Sequence, residues 1–259
     1  MSGEYTHTQP HRGMFRIVCP GYHPGPGSMP GYGTAIITVV EGRELSLVFD
    51  TGYGDPGLRR YIEALTDKPL VVALSHSHPD HVGCNAEFEE VWIRPEEVES
   101  MRRLCPTIGA DGARRYGVRL IDDGQIFDLG GRRLRTVHIP GHAPGAIGLI
   151  DEETGILLSG DSVLKRMLIF QTRSVFLDAL ERLDSLEFSD VLGAHWPEPL
   201  GRQQVRRAIE LLRDYRPDME VSAPWNLGGS VVDFRMFYRG KAFEDPEFVA
   251  FGYMAGISI

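Results

Sequence analysis

Hydrophobic positions along the chain fall into short runs separated by polar turns. Two β-branched, apolar runs, TAIITVVEG (34–42) and LSLVFDTG (45–52), flank a polar Glu-Gly-Arg-Glu step and predict a hairpin of buried strands. PGLRRYIEALTD carries Leu58, Tyr61, Ile62 and Leu65 at helical spacing, so a helix is predicted there. PLVVALSHS (69–77) is a short continuous apolar run, the pattern of a strand buried on both faces. EVWIRP predicts another strand, and PEEVESMRRL a helix with Pro95 in its first turn. QIFDLGGRRLRTVHIPG predicts two strands about Gly130-Gly131, and AIGLIDEETGILLSGD again strand, turn, strand. SVFLDALERLDSL and GRQQVRRAIELLRDYR have amphipathic helical spacing, with the strand DVLGAHW between them. The tail SVVDFRMFYRGKAFE predicts a hairpin. Strands outnumber helices, and the helices are interspersed. That is the pattern of the α/β (α+β) class, sheets covered by helices in one unit spanning 1–259.

One stretch departs from this order. CPGYHPGPGSMPGYG (19–33) is too rich in Gly and Pro for a helix or a central strand, and it predicts a long surface loop.

Composition narrows the function. Among 259 residues, 42 % are hydrophobic and 24 % charged, which is ordinary for a globular chain. The net charge of −9 argues against a broad phosphate-tracking surface, so no nucleic-acid partner is expected. No run approaches 18 apolar residues, and the N-terminus shows no basic region followed by an apolar one; a cytoplasmic protein without a membrane anchor is expected. Cys19, Cys84 and Cys105 are few, odd in number and without CxxC spacing, which fits a reducing compartment.

The chemistry is concentrated in SHSHPDHVG (75–83). Three of the nine histidines lie there beside an aspartate. His76 and His78 are two apart at the end of a predicted strand, so their imidazoles share a face. Pro79 biases His78 to an extended conformation and ends the ladder. The chain then turns and presents Asp80 and His81 to a second point nearby. Other predicted strands also end in His or Asp beside small residues: His142 in IPGHAPG, Asp161 in LLSGDS and His195 in LGAHWPEP. Imidazole nitrogen and carboxylate oxygen together suit zinc. By contrast, His138 lies within a strand with no evident partner, and His7 and His11 read as surface residues. His23, in the Gly/Pro loop, is a candidate to line the site.

The series His76-x-His78-x-Asp80-His81, GHAPG, SGD and GAHW, with Asp50 upstream in LVFDTG, resembles the metallo-β-lactamase-fold hydrolase superfamily. The resemblance runs in order from Asp50 to His195. It implies an αββα sandwich of two mixed β-sheets flanked by helices, with metal at one edge of both sheets. It further implies that His76, His78 and His142 hold one zinc, that Asp80, His81 and His195 hold the other, and that Asp161 bridges them. Asp50 would orient ligands by hydrogen bonding to them. Members often carry Gly-Gly after the HxHxDH motif. Here HVGCN places Cys84 at the second position, where it reads as a small buried residue rather than a ligand.

Two Zn²⁺ ions sharing a bridging hydroxide would attack an electrophilic carbonyl, with Asp80 orienting the nucleophile and moving its proton. The 64 residues after His195 hold one predicted helix and one hairpin, so the helical C-terminal domain of glyoxalase II-type thioesterases is not expected. A small carbonyl substrate such as a lactone, thioester or related acyl compound is the leading class. A mononuclear iron enzyme of persulfide-dioxygenase type and a phosphodiesterase are the alternatives, and iron or manganese could replace zinc. Candidate substrate contacts are Tyr22, His23, Tyr53, Lys165, Met167 and Phe170; for Met167 and Phe170 the rival reading is plain core. A homo-oligomer is compatible with everything above.

Overall fold

The computed structural model describes residues 4–20, 34–108, 113, 115–223, 225–227, 230–240, 245–255 and 259. Seven strands form the first sheet in simple sequential order: β1 (Thr6–His11), β2 (Met14–Val18), β3 (Ile36–Glu41), β4 (Ser46–Phe49), β5 (Leu70–Ala73), β6 (Glu90–Ile93) and β7 (Gly117–Leu120). Pairing is antiparallel from β1 to β4 and parallel from β4 to β7. A second, five-stranded sheet contains β8 (Ile126–Asp128), β9 (Arg133–His138), β10 (Ile147–Asp151), β11 (Ile156–Gly160) and β13 (Asp190–Gly193) in the order β13-β11-β10-β9-β8. Only the β11–β13 pair in it is parallel.

Alternation along the strands sets the layers. Leu47 and Phe49 of β4 point into a core shared with Ile147 and Leu149 of β10 and Ile156 and Leu158 of β11, which is the contact between the two sheets. Val48, one residue out of phase, points the other way, toward Leu58 and Ile62 of α1 (Leu58–Glu63) and Met101 of α3 (Val98–Leu104). On the far side, Ile150 and Leu157 pack with α4 (Arg173–Asp184) and α5 (Gln203–Arg213) through Phe176, Leu180, Val205 and Leu212. The order helix, sheet, sheet, helix follows from strands that bury both faces.

A third sheet was not legible in the hydrophobic pattern. β12 (Arg166–Leu168), β14 (Val221–Ser222), β17 (Phe234–Arg239) and β18 (Val249–Met254) pair in the order β12-β18-β17-β14. The expected tail hairpin over 230–244 is therefore shifted. β17 pairs with β18, and Trp225–Leu227 (β15) pairs with Ser230–Val232 (β16). Phe234, Phe237 and Phe251 bury this sheet against α4 and α5. Most of the Gly/Pro loop expected at 19–33, with Tyr22 and His23, lies outside the described residues.

Candidate metal centre

The seven predicted ligands come together. His76 and His78 lie in the segment beyond the C-terminal end of β5, and His78, extended at φ −67°, ψ 153°, precedes a one-turn helix, α2 (Pro79–Val82), with Pro79 at its first position. The strand itself stops at Ala73, short of the expected end at Ser77, and the proline starts the turn that swings Asp80 and His81 back. His142 follows β9, Asp161 follows β11 and His195 follows β13, all at the same edge. Ligand atoms lie within 4.8 Å of one another in three groupings: His76, His78, His142; His76, His81, Asp161; and Asp80, His81, His195.

Two glycines allow the close approach. A Cβ on Gly160 would stand 2.7 Å from Cβ of Ser75, and the residue has φ +53°; glycine there lets the Asp161 turn lie against the histidine loop. A Cβ on Gly83 would meet the Gly54 amide nitrogen at 2.2 Å, so the turn after His81 packs directly on the loop that follows Asp50. Cys84, next in line, is buried and donates its thiol to the Asp55 carbonyl at 3.1 Å, away from the ligand set.

Asp50 organises one half of the centre. It holds φ +72° at the end of β4. Its Oδ1 accepts the Ser75 amide at 2.7 Å, and its Oδ2 accepts the Ser75 hydroxyl and His81 Nδ1–H, each at 2.8 Å. Since the Ser75 proton goes to Asp50, Ser75 Oγ accepts from His76 Nδ1 at 2.9 Å. His142 Nδ1 donates to the Leu168 carbonyl at 3.2 Å, and His195 Nδ1 to the Thr34 carbonyl at 3.0 Å. In all four imidazoles these bonds leave Nε2 facing the centre. His78 faces it with Nδ1, 2.9 Å from His142 Nε2, which is also 3.2 Å from His76 Nε2.

The donor set fits a cation. Protons cannot satisfy three nitrogens crowded at these distances, and a positive ion between them can. Asp161 Oδ1 and His81 Nε2 are buried without a hydrogen bond, 3.5 Å apart. Burial pushes His142 down to about 3 and holds His76 and His78 below the ordinary imidazole range, so this group is neutral and ready to ligate. The other group is the reverse. Burial works against charge at His195, but Asp161 and Asp80 outweigh it and raise His195 to about 10. At His81 burial is likewise overcome, by Asp80, Asp50 and Asp161, and its affinity for a proton rises. Burial alone would raise Asp80 and Asp161, yet His81 and His195 keep both below the usual carboxylate range.

Three residues that hold the centre were not evident in the sequence. Ser75 relays Asp50 to His76. Glu97, 2 % exposed, accepts from the Ser77 and Gly145 amides. Arg16, also 2 % exposed, donates to the Gly193 and Trp196 carbonyls at 2.8 and 2.7 Å, on either side of His195. A charged residue at an inward position of MFRIV was the only signal, and nothing local marked Glu97.

Other expected contacts are spread more widely. Phe170 sets its ring edge-on to His78 and His142, with centroids at 5.4 Å, and borders the site. Met167 is wholly buried in the core beneath α4 and α5, where β12 places it, so the core reading describes it. Lys165 lies over the Trp196 ring at 4.5 Å and donates to the Asp245 carbonyl. Tyr53 packs on the helix-covered face of the first sheet. His138 is a half-buried polar residue whose Nε2–H donates to the Pro144 carbonyl at 2.8 Å. Among the described residues no helix is long and apolar enough to cross a membrane.

Comparison with known proteins agrees with this arrangement. The family model described as the metallo-beta-lactamase superfamily matches residues 30–221. The acyl-coenzyme A thioesterase MBLAC2 of Homo sapiens is 31 % identical over 190 residues, covering 59 % of this chain and 68 % of the human protein. The atrochrysone carboxyl ACP thioesterase of Emericella nidulans is 31 % identical over 167 residues, covering 61 % of this chain and half of the fungal one. Among solved structures, the metallo-beta-lactamase from Pontibacter korlensis superposes with a TM-score of 0.63 at 15 % identity, covering 82 % of this chain and all of that one. The metallo-beta-lactamase family protein TTHA1429 from Thermus thermophilus gives 0.57 at 23 % identity, covering 78 % of this chain and 79 % of that one. This chain belongs to the metallo-beta-lactamase superfamily, a metal-dependent fold, and is a hydrolase of it.

Proposed function

We propose that the chain is a two-zinc hydrolase of acyl thioesters. The observation that carries the two-ion reading is the division of Asp161. Its Oδ2 lies 3.4 Å from His142 Nε2, while its Oδ1 lies 3.5 Å from His81 Nε2 and 3.3 Å from His195 Nε2. A carboxylate set between two nitrogen groups can serve an ion in each. His76, His78 and His142 would hold one ion, Asp80, His81 and His195 the other, with Asp161 shared. Nitrogen and carboxylate donors in this proportion favour zinc over the harder manganese, and iron is the competitor.

Ions held by these residues would supply Lewis acidity and would lower the pKa of a water to about 7. The rest is the work of side chains. Asp80 has 21 % of its side chain exposed, against 1 % for His81 and His195, so it is the acid that meets the opening. Held as a carboxylate by its imidazole neighbours, it orients the attacking water and takes its proton. Phe170 screens the three-histidine side from solvent. A thiol leaving group, with an ordinary pKa of about 8.5 for a cysteine-like thiol, departs largely as thiolate and asks little of a proton donor. The thioesterase names of the human and fungal relatives support the thioester over the lactone.

The test is a thiol-release assay of zinc-reconstituted protein on short and long acyl-coenzyme A esters, beside a lactone, a cephalosporin and a phosphodiester. Metal is counted on the same sample. Thiol release with two zincs per chain is expected. No thiol release by fully zinc-loaded protein would overturn the thioester reading, and iron bound in place of zinc would turn attention to sulfur or oxygen redox chemistry.

A further inference from the structure

Glu97 sits outside every recognised motif, just before α3, yet it touches the loops of all three histidines in the neutral group. Its Oε2 accepts the Ser77 amide at 3.0 Å and the Ser77 hydroxyl. Ser77 is the residue between His76 and His78. Its Oε1 accepts the Gly145 amide at 2.8 Å, in the turn that carries His142. A Cβ on Gly145 would fall 2.7 Å from Glu97 Cγ, so the His142 turn rests directly on this side chain. One carboxylate thus joins two chain segments far apart in sequence, both of which end at the same point in space.

The charge needs explaining as much as the geometry. Glu97 is 2 % exposed, and among the described residues no Lys or Arg pairs with it. Burying an ion without a counter-ion is costly unless it is well hydrogen-bonded. A neutral amide would not serve in its place. All three partners are donors, and a glutamine would turn its NH₂ toward one of them. The three-histidine group has no anionic ligand of its own apart from its share of Asp161, whereas the other group includes Asp80.

We propose that Glu97 is a positioning residue for the three-histidine ion. It locks the His76–His78 segment to the His142 turn and supplies, from behind the ligands, the negative charge that this half of the centre lacks. The inference rests on the ligand assignment given above.

The experiment is a competitive chelator titration of zinc or cobalt into wild type, Glu97→Gln, Ser77→Ala and His78→Ala, with the melting temperature of each metal-free protein measured in parallel. Glu97→Gln is expected to weaken one of the two ions by about 10- to 100-fold, the usual effect of losing a partner behind a ligand. It should leave the other ion within about threefold and change the cobalt spectrum of the weakened site. Ser77→Ala removes one of the three donors and should shift the same ion in the same direction by less. If Glu97→Gln does not fold, Ser77→Ala carries the test alone. Unchanged affinities, or equal loss of both ions with a matching fall in metal-free melting temperature, would overturn the proposal. His78→Ala separates the two levels: if it keeps both ions, the ligand assignment has failed; if it loses one while Glu97→Gln loses none, only the role of Glu97 has failed.

Discussion

Replacing Asp50 by Asn changes one atom and puts a donor where one oxygen accepts two hydrogen bonds. Asparagine tolerates the positive φ of this position, so the backbone is expected to hold. In the native chain Oδ2 accepts His81 Nδ1–H at 2.8 Å and the Ser75 hydroxyl at the same distance, while Oδ1 accepts the Ser75 amide. An asparagine that keeps its oxygen on the amide presents NH₂ to His81. Two donors then face each other, and His81 must change tautomer, which places its proton on the nitrogen meant for the metal. A hydrogen bond to a charged group contributes about 1.5–3 kcal/mol. At about 1.4 kcal/mol per decade, that predicts roughly 10- to 150-fold weaker binding of the ion held by His81. One effect runs the other way. Asp50 is among the anions that hold a proton on His81, so its neutralisation eases proton competition, but Asp80 and Asp161 still face the ring and limit that gain. The ion of the three-histidine group should weaken less, because Asp50 reaches His76 only through Ser75. Chelator competition resolves the two ions. Native affinity for both in Asp50→Asn, or preferential loss of the three-histidine ion, would refute the tautomer argument.

Proton counting gives an independent check on the other half. The metal-free chain holds protons on His195, raised to about 10, and on His81, so loading metal at neutral pH should release up to two protons, and affinity should climb with pH between about 7 and 10. Calorimetry in buffers of differing ionisation enthalpy measures this, and a release near zero would contradict it. Without metal the sign is opposite: the His195 contribution to stability is complete below its ordinary value of 6.5 and is lost as pH rises toward about 10. Finally, Arg16→Met keeps volume but removes the donor to the Gly193 and Trp196 carbonyls, and the buried Gly193 contact alone is expected to cost about 1–3 kcal/mol. A denaturant midpoint unchanged from wild type would show that Arg16 does not hold the His195 turn.

The candidate ligands were readable because each follows a strand long and apolar enough to announce itself, and because His76 to His81 concentrates donor atoms around a proline. The supports were not. Glu97 lies in a polar PEEVES stretch that looks like any exposed helix start, and its partners are 20 and 48 residues away. β12 has three residues and pairs in parallel with β18 more than 80 positions later, so no local pattern could reveal the third sheet. β1, THTQPH, is exposed throughout and has no apolar alternation; it exists because β2 offers it an edge.

His76 to His81 hang from the first sheet, whereas His142, Asp161 and His195 hang from the second. Each of the three donor groupings draws on both. No half of the sandwich owns a complete set, so an ion can be seized only after the two halves have met. In a refolding experiment cobalt would stay pale through strand pairing and helix growth, and would colour only as the halves close upon each other. A metal held there would be a stitch across the seam of the molecule, set only once the two halves have closed.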